Sequence, residues 1–178
     1  MFMKKIYAYP AIIASLIIIL ILGYRCWFNP VTTIILVRHA EKAPGENPPL
    51  TEDGHRRAGA LAHALSSAGV QAIFVSEFLR TQQTADSLAI LLGLNPQIIP
   101  AADITQLTGR ILTDFAGKSV LVAGHSNTVP DIIEALGIPS PPPIPENEFD
   151  NMFMVHRPRF GPARLTHLKY ALHLCDCE

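Results

Sequence analysis

The sequence predicts an α/β protein: a three-layer α/β/α sandwich around a mostly parallel sheet, preceded by one transmembrane helix. Three observations support this prediction. Short segments rich in β-branched or apolar residues alternate with longer segments of helical periodicity, which is typical of a sheet covered by helices. One strand-like segment, residues 118–126, is almost entirely apolar, which indicates a central strand of a parallel sheet. Near the N-terminus, residues 6–24 form a run without a charged side chain.

The uncharged run divides the chain into an anchor with a short linker, residues 1–30, and a folded domain, residues 31–178. At about 1.5 Å per residue, the run is just long enough to cross a hydrocarbon core of roughly 30 Å. Lys4 and Lys5 precede it and only Arg25 follows closely, so the positive-inside rule predicts an extracytoplasmic (periplasmic) domain. The bulky residues after the run do not resemble a small-residue cleavage site. An uncleaved, single-pass membrane anchor is therefore favoured over a cleaved secretory signal.

Size, charge and cysteine content narrow the class of protein. The chain has 178 residues and a formal net charge of -1. This size predicts one domain with a substantial core, and the near-zero charge argues against a nucleic-acid partner. Cys175 and Cys177 lie near His173 at the C-terminus, where too few further ligands are available for a metal site. The two thiols could still pair in an oxidising compartment, and no oligomeric state follows from the sequence.

The folded region begins with a strand over residues 31–37, which is rich in β-branched side chains. After a loop containing proline and glycine, a helix is predicted to begin at Thr51 as N-cap and to stop at Gly69. Glu52 and Asp53 in its first turn favour this direction, because acidic side chains stabilise a helix N-terminus.

The alternation of strands and helices continues to the end of the chain. The next segments are, in order, a strand at 70–76, a helix at 77–93, a strand at 96–100, a helix at 103–117, a strand at 118–126 and a helix at 127–137. A proline-rich loop then leads to two strands, residues 151–157 and 163–174, joined by a turn that contains Gly161 and Pro162.

Three of the predicted strands end in residues that can bind an anion. These are Arg38 and His39 after the first, Ser76 with Arg80 a turn further after the second, and His125 with Ser126 after the fourth. Ligands of open α/β sheets bind outside the carboxyl ends of the strands, so these side chains should converge on one crevice. Arginine offers paired donors that match phosphate oxygens, and imidazole can attack phosphorus to form a phosphohistidine. A second histidine, when protonated, stabilises charge on the transferring group, and the helix that begins near Asn127 adds backbone donors. The strand ends therefore predict a site for a phosphoryl group.

Four segments carry a family resemblance: "LVRHAEK", "PLTEDGHRRAGALAHAL", "VSEFLRTQQTA" and "VLVAGHSNTVP". In order and spacing they resemble the histidine phosphatase superfamily, also called phosphoglycerate mutase-like, over about residues 33–170. The family's usual opening motif is Arg-His-Gly, and this chain has Ala40 in the glycine position. The resemblance implies that His39 is the phosphorylated nucleophile and that Arg38, Arg80 and His125 bind the phosphoryl group. Ser126, at the same strand end as His125, is expected to bind it as well.

The resemblance also implies a carboxylic acid that protonates the leaving group, usually on the segment after the third strand. Asp103 lies there, 23 residues after Arg80, and is the first candidate for this catalytic role, although the family more often has glutamate at this point. Alternatively, Asp103 only caps the helix that starts there. Glu41 and Glu77 are rival candidates, because both are close in sequence to the predicted pocket.

Together these features predict a membrane-anchored phosphatase that hydrolyses phosphomonoesters or a phosphoprotein through a phosphohistidine intermediate on His39. No metal or other cofactor is expected, and the predicted partners are a phosphorylated small molecule, glycan or protein, together with the membrane through residues 6–24. One rival is a mutase, which is disfavoured because the region after the anchor is short and lacks insertions that would enclose a substrate. The other is a non-catalytic phosphate-binding or scaffold module. His55 and His63 are predicted to face solvent on a helix.

Overall fold

The structure of the protein is a computed structural model that describes residues 8–171. Within this range the chain forms two compact units that divide after Pro30. The predictions for His173, Cys175 and Cys177 lie outside the described residues.

The first unit contains helix α1 (Ala8–Trp27), which includes most of the predicted membrane span. Among residues 8–171, however, no helix has both the length and the apolar character needed to cross a membrane. The predicted transmembrane anchor is therefore wrong, and so is the extracytoplasmic localisation derived from it. Residues 6 and 7 of the predicted span lie outside the described residues.

The second unit is an α/β fold around a mixed sheet, which confirms the α/β part of the predicted fold class. In residues 31–171 the strands are β1 (Val31–Arg38), β2 (Val70–Val75), β3 (Gln97–Ile98), β4 (Ser119–Gly124), β5 (Asn151–Pro158) and β6 (Arg164–Lys169). Their order across the sheet is β3-β2-β4-β1-β5-β6. The first four strands of this order run parallel, whereas β5 and β6 are antiparallel to their neighbours. The apolar strand β4 lies between β2 and β1, as its sequence predicts.

Four helices connect the strands in residues 31–171: α2 (Glu52–Leu65), α3 (Leu79–Leu92), α4 (Ile104–Asp114) and α5 (Thr128–Ala135). Their ends follow from local chemistry. The Thr51 hydroxyl accepts a hydrogen bond from the Gly54 N–H at 3.1 Å, so the predicted N-cap of α2 is confirmed. Helix α3 ends at Gly93, whose φ of 65° is a left-handed conformation that glycine adopts without steric cost.

The sheet has an apolar core on each face, because successive side chains of a strand point to opposite sides. On one face Ile34, Phe74 and Val122 pack with apolar residues of α4 and α5. On the other face Ile35 and Leu121 belong to a core that includes residues of α2 and α3. Helices therefore cover both faces of the sheet, and each fully buried aliphatic side chain contributes about 1.5–3 kcal/mol.

Strand register brings the ends of β1, β2 and β4 to the same level. Arg38, the last residue of β1, pairs with Gly124, the last residue of β4. Val75, the last residue of β2, pairs with Ala123. The residues that follow these three strands consequently leave the sheet side by side, at one edge.

Candidate active site

The ends of β1, β2 and β4 bring together the side chains that the sequence predicts to bind an anion. Arg38, His39, Ser76 and His125 are all buried, each with at most 7% of its surface exposed. Arg80 reaches them from the first turn of α3 and is partly buried. The imidazole rings of His39 and His125 lie 5.5 Å apart, centre to centre, and face each other edge-on.

The hydrogen bond of the His39 ring identifies its free nitrogen. Nδ1 of His39 lies 2.8 Å from the backbone carbonyl oxygen of Ala40. Because a carbonyl oxygen can only accept, Nδ1 carries the proton and Nε2 keeps its lone pair. Burial lowers the pKa of His39 to about 4, and the positive charges of Arg38 and Arg80 act in the same direction. His39 is therefore a neutral imidazole at pH 7, which is the form required of a nucleophile.

Both backbone polar groups of Ala40 are hydrogen-bonded. Its carbonyl accepts from His39, and its N–H donates to the Thr84 hydroxyl at 2.9 Å. The same hydroxyl donates to the backbone carbonyl of Arg80 at 2.7 Å, so Thr84 links the loop after β1 to helix α3. The Ala40 methyl group is fully buried in a small cluster with Leu50 and Ala58.

Both ring nitrogens of His125 are in hydrogen-bond contact with neighbouring side chains. Nη2 of Arg80 lies 3.4 Å from its Nδ1, and the Ser76 hydroxyl lies 3.0 Å from its Nε2. A guanidinium only donates, so Nδ1 accepts and Nε2 carries the proton that is donated to Ser76. Burial lowers the pKa of His125 to about 4, and the charge of Arg80 lowers it further. The sequence suggested a protonated second histidine, but in the free protein this ring is neutral at pH 7.

The guanidinium of Arg38 binds the segment between α5 and β5. Its Nη1 lies within 3.1 Å of three backbone carbonyl oxygens, those of Pro145, Glu146 and Glu148. Its Nη2 donates to the Glu146 carboxylate at 2.7 Å, and the Phe149 ring lies 4.3 Å from the guanidinium carbon. We call residues 145–149 the cover segment, because Arg38 holds it against the strand ends.

The carboxylate of Glu146 also contacts Ser126. The Ser126 hydroxyl donates to Glu146 Oε1 at 2.5 Å, while Oε2 is the oxygen bound to Arg38. The Ser126 hydrogen bond holds the pKa of Glu146 below its usual range, and the charge of Arg38 contributes. A carboxylate thus lies between two of the side chains predicted to bind phosphate.

The three candidate proton donors have different environments. Asp103 is exposed and caps α4, since its carboxylate accepts from the Gln106 N–H at 3.0 Å. Glu41 is paired with Arg57 through bonds of 2.6–2.9 Å that engage both carboxylate oxygens. Glu77 is exposed and accepts a backbone N–H through one oxygen at 2.8 Å. Glu41 is therefore the least available of the three for proton transfer.

A cleft lined mainly by apolar residues adjoins His125. Ser76 and His125 line it together with residues of β2, β4, α4 and α5, and Asp103 is also part of the lining. Asp103 is thus the candidate donor that shares a cleft with a site histidine.

Sequence reasoning missed Thr84, Glu146 and Phe149. Thr84 is an ordinary position within a helical pattern, and the cover segment follows a run of prolines without any motif. Glu146 is 108 positions from Arg38, and only the fold brings the two together. His55 and His63 are exposed on α2, as predicted. Among residues 8–171, no group of three or more histidine, cysteine, aspartate or glutamate side chains could hold a metal ion.

Comparison with known proteins gives a family match for the first half of the domain. The model of the histidine phosphatase superfamily (branch 1) matches residues 34–104, which include Arg38, His39 and Arg80. A PE-PGRS family protein of Mycobacterium tuberculosis is 35% identical over 139 residues, which make up 78% of this chain. The chain spans only 22% of the length of that relative.

Solved structures are similar in fold. The protein histidine phosphatase SixA, solved with tungstate, has a TM-score of 0.64 and 22% identity, and the match covers 77% of this chain and 96% of that one. Mycobacterial glucosyl-3-phosphoglycerate phosphatase has a TM-score of 0.65 and 13% identity, with 79% of this chain and all of that one covered. At these identities the likeness establishes the fold.

Proposed function

We propose, from the histidine phosphatase superfamily domain that this chain carries, that the protein is a phosphatase that hydrolyses phosphomonoesters through a phosphohistidine on His39. One observation supports this proposal above the others. A neutral imidazole with an unprotonated Nε2 lies beside a second histidine and two guanidinium groups, where three parallel strands end. Phosphoryl transfer needs a positioned nucleophile and fixed positive charge, and this arrangement offers both.

The phosphoryl group would bind among Arg38, Arg80, His125 and Ser126. The two arginines supply donors that match phosphate oxygens in geometry and in charge. Their Nε atoms are buried and have no hydrogen-bond partner among the described residues, so each guanidinium retains a donor. The dianion raises the pKa of His125 by its charge, so His125 takes up a proton as the substrate binds and becomes a further donor.

The reaction has two steps. In the first, His39 Nε2 attacks phosphorus, the bond to the ester oxygen breaks, and a general acid donates a proton to the leaving alkoxide. In the second, the conjugate base of that acid takes a proton from a water molecule, whose oxygen attacks phosphorus as the P–N bond breaks. Inorganic phosphate leaves, and both His39 Nε2 and the general acid are restored. The bond from Nδ1 to Ala40 holds the ring in the required tautomer throughout.

Asp103 remains the proposed general acid, with Glu77 as the alternative. Asp103 borders the cleft that His125 lines, which favours it. The capping bond to Gln106 occupies a single carboxylate oxygen, so the other oxygen is available to carry a proton. Glu41 is disfavoured because releasing it would leave Arg57 as an unpaired, largely buried charge.

Replacement of His39 tests the proposal. His39→Ala should lower the turnover of an aryl phosphate by at least about 10³-fold, because the covalent route is lost. It should also abolish the acid-labile phosphoenzyme that wild type forms when quenched during turnover. His55→Ala, an exposed position on α2, is the matched control and should keep wild-type rates. If His39→Ala retains a tenth of the activity with an unchanged circular dichroism spectrum, His39 is not the nucleophile.

A further inference from the structure

We propose that Glu146 is a specificity-determining residue that occupies the anion position in the free protein and disfavours substrates whose leaving group is negatively charged. The proposal rests on the proposed function, since it takes Arg38 and Ser126 as ligands of the phosphoryl group. Nothing in the local sequence of Glu146 indicates this role. It follows from where the cover segment places the carboxylate.

The Glu146 carboxylate imitates a bound anion. One oxygen accepts from Arg38 Nη2 at 2.7 Å and the other from the Ser126 hydroxyl at 2.5 Å. These are two of the four side chains proposed to bind phosphate, and the same donors cannot serve both anions fully. A phosphoryl group that binds there must therefore displace the Glu146 side chain.

Displacement of the side chain is easy, but its charge remains close to the site. The Glu146 side chain is 80% exposed, whereas that of Arg38 is 3% exposed, so the carboxylate can rotate into water. Its backbone stays in place, because Arg38 Nη1 holds the carbonyl oxygens of Pro145, Glu146 and Glu148. After displacement, a negative charge is left at the entrance, next to the bound phosphate and its leaving group.

The other two acidic side chains in and beside the cover segment share a cation that is not a proposed phosphate ligand. Glu148 and Asp150 both bind the ammonium group of Lys169. The cation of the Glu146 ion pair, in contrast, is Arg38, which the phosphoryl group would bind, so the charge of Glu146 loses its compensation when phosphate binds. The site should consequently prefer phosphomonoesters with a neutral or cationic leaving group over those with a carboxylate close to the phosphate.

Binding of inorganic phosphate gives the first test. Glu146→Gln keeps the size of the side chain and its backbone contacts but removes the competing charge. Isothermal titration with phosphate at pH 7 should show about three- to tenfold tighter binding than wild type, as expected for removing one charge near a dianion. Glu134→Gln, which removes the same charge from an exposed position near the end of α5, should stay within about twofold of wild type.

A pair of substrates gives the second test. O-phosphoethanolamine and 2-phosphoglycolate are small alkyl phosphates with opposite charges on the leaving group. Wild type should show the higher kcat/KM on phosphoethanolamine, and Glu146→Gln should reduce this preference at least about threefold by gaining on phosphoglycolate. Glu134→Gln should leave the preference unchanged.

The outcomes separate this inference from the proposed function. Unchanged or weaker phosphate binding by Glu146→Gln, including binding too weak to detect in both proteins, overturns the inference. Tighter binding with an unchanged substrate preference overturns the specificity role. If wild type binds phosphate but hydrolyses neither of these esters nor an aryl phosphate, the proposed function fails, and the binding measurement still decides whether Glu146 competes with an anion.

Discussion

Thr84 provides a stringent test of how the nucleophile is positioned. It is fully buried, and its hydroxyl accepts from Ala40 N–H and donates to the Arg80 carbonyl. The carbonyl oxygen of Ala40, in the next peptide group, accepts from the His39 ring and orients it. Thr84→Val keeps the shape and the branched Cβ of the side chain and removes only the hydroxyl. Any effect should therefore come from the lost hydrogen bonds.

The expected loss of stability in Thr84→Val follows from the burial of the Ala40 N–H. Ala40 is fully buried, so its N–H would be left without a partner, at a cost of about 1–3 kcal/mol. The Arg80 carbonyl is in α3 and can still accept from the helix, so its loss is minor. Once the Ala40 N–H loses its anchor, the backbone at Ala40 can shift and move the carbonyl oxygen that holds the His39 ring, so kcat should fall about tenfold or more. KM should change little, because the proposed phosphate ligands are untouched.

Urea denaturation measures the loss of stability, and steady-state kinetics measure the fall in kcat. Thr108→Val is the matched control, since Thr108 is also nearly buried in a helix but its hydroxyl donates only to helix carbonyls. Thr84→Ser should recover much of the loss, because it restores the hydroxyl. The reasoning is refuted if Thr84→Val is no less stable than Thr108→Val, or if its kcat equals that of wild type.

Three further predictions concern pH, the proton donor and the loop after β1. The pKa values of His39 and His125 are about 4, below the ordinary 6.5, so between these pH values the unfolded chain binds more protons than the folded protein. The free energy of unfolding should therefore be fully retained above about pH 6.5 and should fall as the pH is lowered towards 4. Equal stability in urea at pH 7 and pH 5 would contradict this. Asp103→Asn should slow alkyl phosphates by about 10²–10⁴-fold and aryl phosphates, whose leaving groups need a proton less, much less; a small, equal effect on both would leave Asp103 as a helix cap only. Gly54→Ala, in α2, would place a methyl group 2.2 Å from the carbonyl oxygen of Glu41 in the loop after β1, so the free energy of unfolding in urea should fall by at least about 2 kcal/mol. Gly59→Ala, which has open space around it, is the control and should be neutral or slightly stabilising.

The apolar N-terminal run shows where a local pattern misleads. Its composition and flanking charges satisfy the rules for a membrane span, but among the described residues no helix is long and apolar enough to cross a membrane.

The sequence by itself determined the order and kind of the elements in the α/β unit and the edge of the sheet at which the site lies. Periodicity, the Thr51 cap and the Gly93 stop act between near neighbours in the chain, so they can be recognised without the fold. The tertiary structure alone decided the protonation state of His39 and the ion-pair partner of Arg38. The low pKa of His39 comes from burial by distant segments, and the Glu146 carboxylate meets Arg38 across 108 positions. Desolvation and long-range pairing depend on which surfaces pack together, and no local pattern of residues specifies that.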